Sequence, residues 1–230
     1  FICTDYLGNI YVVRNKNFIV KYNKNGDSIS NFNAIQRGKI SQIDATNPMK
    51  TLVYFANFSQ ILVLDNMLSL KNTINLKKIN RFNIPCIANS TDGNIWFYDP
   101  NGELVKIDED MKISLQMPLR NILPFVLDPV YMIEQNRNLY ICDTSKGVFA
   151  FDRFGFYQYK LNIKTNMLQV FEKQFVYVDN NFIKVYDSQL FTEKALEIPY
   201  PDDVLNIRIE RDNVFILRKE SFDIYKFENE

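Results

Sequence analysis

The sequence has 230 residues, 47% of them hydrophobic, enough to bury the core of one sizeable domain. Its 27 Lys and Arg balance 27 Asp and Glu, so it lacks the basic excess of a nucleic-acid binder. Histidine is absent, which excludes a Ser-His-Asp triad, a His-based zinc site and a histidine proton shuttle, and three cysteines without a CxxC pair build no thiolate cage.

At the start, Phe1-Ile2-Cys3 follows no leader pattern and lacks the small residues of a lipobox, so the chain reads as trimmed or as relieved of a targeting segment. No apolar run approaches the ~18 residues of a membrane span. From there, short β-branched and aromatic segments recur in sets, bounded by Asn, Asp, Gly or Pro turns. The first set is 1–4, 9–13, 18–23 and 28–32, and the second is 40–44, 51–55, 60–65 and 71–76. The third is 84–89, 94–98, 103–108 and 112–117, followed by 130–134, 138–142, 147–152 and 157–163. The fifth is 168–171, 175–178, 182–187 and 194–198, and the last has only 204–210, 213–217 and 223–228. The third segment of each set ends in a carboxylate or amide, at Asn23, Asp65, Asp108, Asp152, Asp187 and Glu228, spaced 42, 43, 44, 35 and 41 residues apart.

Four antiparallel strands per ~41 residues is the pattern of a propeller blade, in which each small sheet buries both faces against its neighbours. The expectation is an all-β, six-bladed β-propeller of four-stranded antiparallel blades, one domain over 1–230. Its last blade is either incomplete or closed by residues upstream of residue 1. No helix is expected within 10–65. Lysines in the strands should lay their stems along apolar surface with the amine reaching out. Cys3, Cys86 and Cys142 sit in apolar runs and read as buried small hydrophobes.

Asp5-Tyr6-Leu7-Gly8-Asn9-Ile10-Tyr11 and Thr91-Asp92-Gly93-Asn94-Ile95-Trp96 resemble the D-x-x-G-N-[IL]-[YW] turn of NHL and two-component-regulator propeller repeats. Other blades depart from it, keeping only an Asn at Asn138 and Asn213 or opening a longer turn at Asn47-Pro48. The whole chain, most of all 43–66, also resembles six-bladed propeller proteins of bacteria with a type 9 secretion system. That resemblance implies a cell-envelope or periplasmic location and membership of a larger complex.

The six stop residues read as turn caps, and Asp108-Glu109-Asp110 lacks the spacing of a calcium loop. Asp44, Asn89, Asp128, Glu134 and Glu210 are the carboxylates and amides placed to line a central channel, but no metal motif joins them. No catalytic residue, cofactor or metal is assigned. In a propeller the fourth-to-first and second-to-third connections share one face. Here the fourth-to-first connections are net basic, while the third-to-fourth hairpins opposite are net acidic. The candidate partner-binding residues are Arg37, Lys39, Lys77, Lys78, Arg81, Phe82, Arg120 and Phe125, with apolar Ile35, Ile122 and Leu123 among them. The expected function is a non-catalytic scaffold that binds a protein partner. The alternatives are a metal-dependent hydrolase or lactonase, and a module for an anionic ligand or glycan.

Overall fold

A computed structural model describes residues 1–210 and 213–226, so the expected turn residues Arg211 and Asp212, and the stop residue Glu228, lie outside the described residues. Blade 1 is β1 (Ile2–Thr4), β2 (Ile10–Arg14), β3 (Phe18–Tyr22) and β4 (Ser28–Asn33). Blade 2 is β5 (Gln42–Asp44), β6 (Thr51–Phe55), β7 (Gln60–Leu64) and β8 (Leu70–Asn75). Blade 3 is β9 (Ile87–Asn89), β10 (Ile95–Asp99), β11 (Glu103–Ile107) and β12 (Ile113–Pro118). Blade 4 is β13 (Pro129–Gln135), β14 (Asn138–Asp143), β15 (Gly147–Asp152) and β16 (Tyr157–Leu161). Blade 5 is β17 (Gln169–Phe171), β18 (Gln174–Asp179), β19 (Phe182–Asp187) and β20 (Thr192–Glu197). Blade 6 has three strands among the described residues, β21 (Val204–Glu210), β22 (Asn213–Arg218) and β23 (Phe222–Lys226). Every blade is an antiparallel meander in chain order, and the whole is a six-bladed β-propeller.

The expectation of no helix within 10–65 needs correction. Single 3-10 turns occupy Ile35–Arg37 and Ala56–Phe58. Both stand at chain reversals, where no ladder partner exists and an i to i+3 bond satisfies the backbone locally. Arg37 N donates to Ala34 O at 2.8 Å and Ser59 N to Ala56 O at 3.1 Å.

The chain forms two compact units, one of residues 1–75 with 200–230 and the other of residues 76–199. In the first, a core cluster joins blades 1 and 2, with Cys3, Tyr11 and Ile19 against Ile43, Val53, Phe55, Leu62 and Leu64. A second joins blades 1 and 6 through Ile2, Ile10, Val12, Phe215 and Leu217. In the second unit, Ala88, Trp96 and Leu104 of blade 3 pack on Met132, Leu139, Phe149 and Phe151 of blade 4. Blade 4 in turn meets blade 5 through Tyr140, Cys142 and Ala150 against Val170, Phe175 and Tyr177. Blade 4, packed on both faces within its unit, buries every position of β14 but Asn138, while the outer β20 of blade 5 is exposed at every position.

The stop residues cap their hairpins. The Oδ1 atoms of Asn23, Asp65, Asp108 and Asp152 each accept the backbone N–H groups two and four residues on, at 2.8–3.0 Å. Asp187 Oδ1 accepts instead the N–H groups two and three residues on, of Gln189 and Leu190. The fourth residue of each of the first four turns has positive φ, at Gly26, Leu68, Met111 and Gly155, the geometry of a turn closed by a bulge.

Buried strand lysines clasp neighbouring blades. Lys21 lies opposite Tyr11 across β2 and β3, and Lys106 opposite Trp96 across β10 and β11. The Lys21 amine is 5.1 Å from the Tyr11 ring centroid and donates to Asn66 O at 2.8 Å. The Lys106 amine is 4.2 Å from the Trp96 centroid and donates to Arg153 O at 3.1 Å and Asp92 Oδ2 at 2.8 Å. Lys184, opposite Tyr177 in blade 5, is instead held by Asp179 and Glu193. Lys226 departs from the expectation and is exposed, because no fourth strand covers β23 among the described residues.

Candidate docking face on the blade connections

In the first unit, the connection from blade 1 to blade 2 lies along the β2–β3 turn, with Ala34 N bonded to Asn17 O at 2.9 Å and Ile40 N to Lys16 O at 2.8 Å. Fourth-to-first and second-to-third connections therefore do meet on one side of these blades. Arg37 is half-buried and donates to Gln60 Oε1 at 3.2 Å, Lys39 is exposed, and Ile35 is 68% exposed.

In the second unit, two connections converge on one hairpin, the β10–β11 turn at 99–103. Arg81 reaches it from the segment 76–86, donating to Asp99 Oδ2 at 3.0 Å and Glu103 Oε2 at 2.9 Å. Leu119 N reaches it from the segment 119–128, donating to Gly102 O at 2.9 Å. Leu119, Leu123 and Leu127 sink into the core of blades 3 and 4 with Cys86. Leu123, expected among the apolar surface groups, is thus a core residue, since its N–H turns back to Leu119 O at 2.8 Å and carries the side chain inward.

Above these anchors, Phe82 is 48% and Val126 56% exposed, with Ile122, Phe125 and Val130 also open to solvent. The Phe125 ring meets Phe149 edge-on at 5.8 Å between centroids, and the Lys146 amine lies 5.9 Å from its centroid. Lys77, Lys78 and Arg120 are exposed on the same two segments. Arg81 differs from the other candidates: with two carboxylates on its guanidinium and little exposed surface, it serves to hold its loop. Val126 escapes a reading by sequence, as does the approach of the second-to-third-loop Lys146 to Phe125. Nothing distinguishes one valine of an irregular loop from its buried neighbours.

Asp143 fixes the far end of this loop. It accepts Ser145 N, Ser145 Oγ and Lys146 N on Oδ1, and Asp128 N and the Lys146 amine on Oδ2, all at 2.6–3.0 Å. Burial alone would raise this carboxyl, but those hydrogen bonds outweigh it and hold it well below the usual carboxylate range.

Two of the channel candidates, Glu134 and Asp44, have structural partners. Glu134 accepts Trp96 Nε1 at 2.5 Å, Ser90 Oγ at 2.6 Å, and the N–H and hydroxyl of Thr91, tying blade 4 to blade 3. Asp44 accepts the N–H and hydroxyl of Thr46. Among the described residues, no group of three or more His, Cys, Asp or Glu side chains is placed to hold a metal ion. Burial pushes the Cys3 thiol up to about 12 and raises Cys86 as well, so both stay protonated and unreactive.

No protein-family model and no curated protein matches the sequence. Solved structures do. Virginiamycin B lyase from Staphylococcus aureus, a catalytically inactive histidine-to-alanine variant with quinupristin, aligns over 97% of this chain and 78% of its own, with a TM-score of 0.66 and 13% identity. The Pan2 WD40 domain of Neurospora crassa aligns over 98% and 74%, with a TM-score of 0.62 and 10% identity. PorZ, a surface component of the type-IX secretion system of Porphyromonas gingivalis, aligns over 96% of this chain and 36% of its own, with a TM-score of 0.51 and 11% identity. What is shared is the propeller fold. Identities this low carry no activity across, and the NHL-like turns of blades 1 and 3 remain a likeness of pattern.

Proposed function

We propose that this chain is a non-catalytic protein-binding scaffold of the bacterial cell envelope, a component of a larger complex that presents a connection face to an acidic-rimmed protein. The observation that carries the reading is the convergence of 76–86 and 119–128 on one hairpin. It places exposed Phe82, Ile122, Phe125 and Val126 on rigidly anchored loops that also bear Lys77, Lys78 and Arg120. Basic groups around apolar anchors suit such a partner, with the anchors supplying affinity and the charges steering association. Arg37 and Lys39 offer a similar basic connection in the other unit. The likeness to PorZ supports an envelope or periplasmic setting. Against an enzyme of the lyase kind, the inactive variant of that neighbour lacks a histidine, and this chain has none.

Affinity capture from the source cells tests the reading with Lys78→Glu/Arg120→Glu, leaving Arg81 intact because a third carboxylate beside Asp99 and Glu103 would unfold its loop. The double reversal should weaken capture of an envelope partner and reduce its salt sensitivity. Capture that survives this change but is lost on neutralising Glu109 and Asp110 would move the interface to the hairpin side. Bound metal with turnover of a lactone or ester panel would replace the scaffold by an enzyme.

A further inference from the structure

At the other end of β10 from the docking hairpin, a groove of about 450 Å³ opens between blades 3 and 4 of the second unit. Thr91, Asp92, Asn94 and Ser114 line it with Lys106, Arg153 and Phe154. The chain supplies its own control, because blades 1 and 2 repeat the same frame. Gly8, Asn9, Tyr11 and Lys21 match Gly93, Asn94, Trp96 and Lys106, and in both pairs the lysine amine ends on a carbonyl of the next blade's hairpin. The clasp accounts for the shared residues. It does not account for those that differ, where Tyr6, Leu7, Asn66 and Met67 give way to Thr91, Asp92, Arg153 and Phe154.

The differing side chains form two complementary walls. One is rich in acceptors. Asp92 takes Lys106 on one oxygen and Asn94 N on the other, and keeps lone pairs on both. The Thr91 hydroxyl spends its proton on Glu134 and the Ser114 hydroxyl on Lys106 O, so each offers only acceptor capacity to the groove. The opposite wall is a cation on an aromatic ring. The Arg153 guanidinium lies 4.6 Å from the Phe154 centroid and has no carboxylate partner among the described residues. Both walls are held in place: Lys106 grips Arg153 O, Asp152 caps Phe154 N at 2.8 Å, and Gly155, at φ 80°, lets the hairpin lie where a Cβ would sit 3.2 Å from Leu115.

We propose that this groove binds an acidic saccharide. Hydroxyls supply the donors that Thr91, Asp92 and Ser114 need, one carboxylate pairs with Arg153, and the C–H face of a pyranose ring packs on the half-exposed Phe154. An acidic peptide fits less well, since its Asp and Glu side chains bring carboxylates without the hydroxyl donors that Thr91, Asp92 and Ser114 need and without a C–H ring face for Phe154.

Titration of the whole chain with trigalacturonate, followed by calorimetry and NMR, tests this independently of the docking face. The trimer should bind, with Arg153→Ala weakening it about tenfold or more, as loss of one charge-assisted hydrogen bond does. Phe154→Ala should weaken it too, while neutral maltotriose should bind about tenfold less tightly than the acidic trimer. Both variants should stay folded, because the hairpin is anchored through the backbone of these two residues. Lys78→Glu/Arg120→Glu should leave the titration unchanged. The proposal falls if the trimer shows no saturable binding by about 10 mM, if maltotriose binds equally, if a folded Arg153→Ala protein keeps full affinity, or if hexaglutamate displaces the trimer at equal concentration.

Discussion

Asp143 concentrates more hydrogen bonds than any other side chain of the docking loop, and its charge is what those donors need. Asp143→Asn keeps the shape but presents an amide N–H to at least one of them, at a cost of about 2–3 kcal/mol at pH 7. Because the folded carboxyl titrates below its unfolded value of about 3.9, the stabilisation is complete above that pH and is lost as pH falls towards the folded value. Chemical denaturation at pH 7 and pH 3 should therefore show a wide gap between parent and Asp143→Asn that narrows in acid; a gap independent of pH would remove the carboxylate from the account. Met111 is the opposite case, a residue that the turn tolerates at a cost. Its φ of 66° is left-handed, in a position filled by glycine in blades 1 and 4. Met111→Gly should raise the melting temperature by about 1–3 °C, the relief of left-handed strain less the added freedom of the unfolded chain.

Among the elements, hairpins and blade contacts make different demands. Gly147 opens β15 at φ 112°, and a Cβ there would lie 2.5 Å from Leu161 O, a backbone atom of β16 that cannot give way without breaking the sheet. Gly147→Ala should cost about 3 kcal/mol or more, seen as a lowered denaturant midpoint or as failure to accumulate folded protein. The lysine clasps belong to the contact between blades. Lys106→Met keeps the apolar stem over Trp96 and removes the amine from Asp92 and Arg153 O. It should cost about 1–3 kcal/mol, and hydrogen exchange should accelerate in the 152–156 hairpin ahead of the strands. Uniform acceleration across both blades would mean that the amine supports the sheet rather than the hairpin.

For the molecule as a whole, the three cysteines report on blade opening. Cys3, Cys86 and Cys142 are all buried, and desolvation keeps Cys3 and Cys86 protonated. A thiol reagent at pH 8 should label none of them in the native chain and all three in denaturant. Labelling of one cysteine under native conditions would locate a blade that opens by itself.

The amino-acid sequence determined by itself everything that depends on neighbours along the chain. The period of stop residues, the strands within a few positions of their observed bounds, the caps at Asn23, Asp65, Asp108 and Asp152, and the buried stems of Lys21 and Lys106 all follow from alternation, turn chemistry and side-chain shape. The single 3-10 turns were beyond that reading, because three-residue reversals carry no periodicity. The roles of Arg81, Leu123, Glu134 and the groove at Asp92 and Arg153 were decided by tertiary structure alone. Their partners lie in other strands or other blades, as Glu134 does 44 residues from Ser90. Which residues of two repeats meet depends on how two sheets pack, and a repeat that keeps its glycines and its clasp lysine leaves those facing positions open to vary.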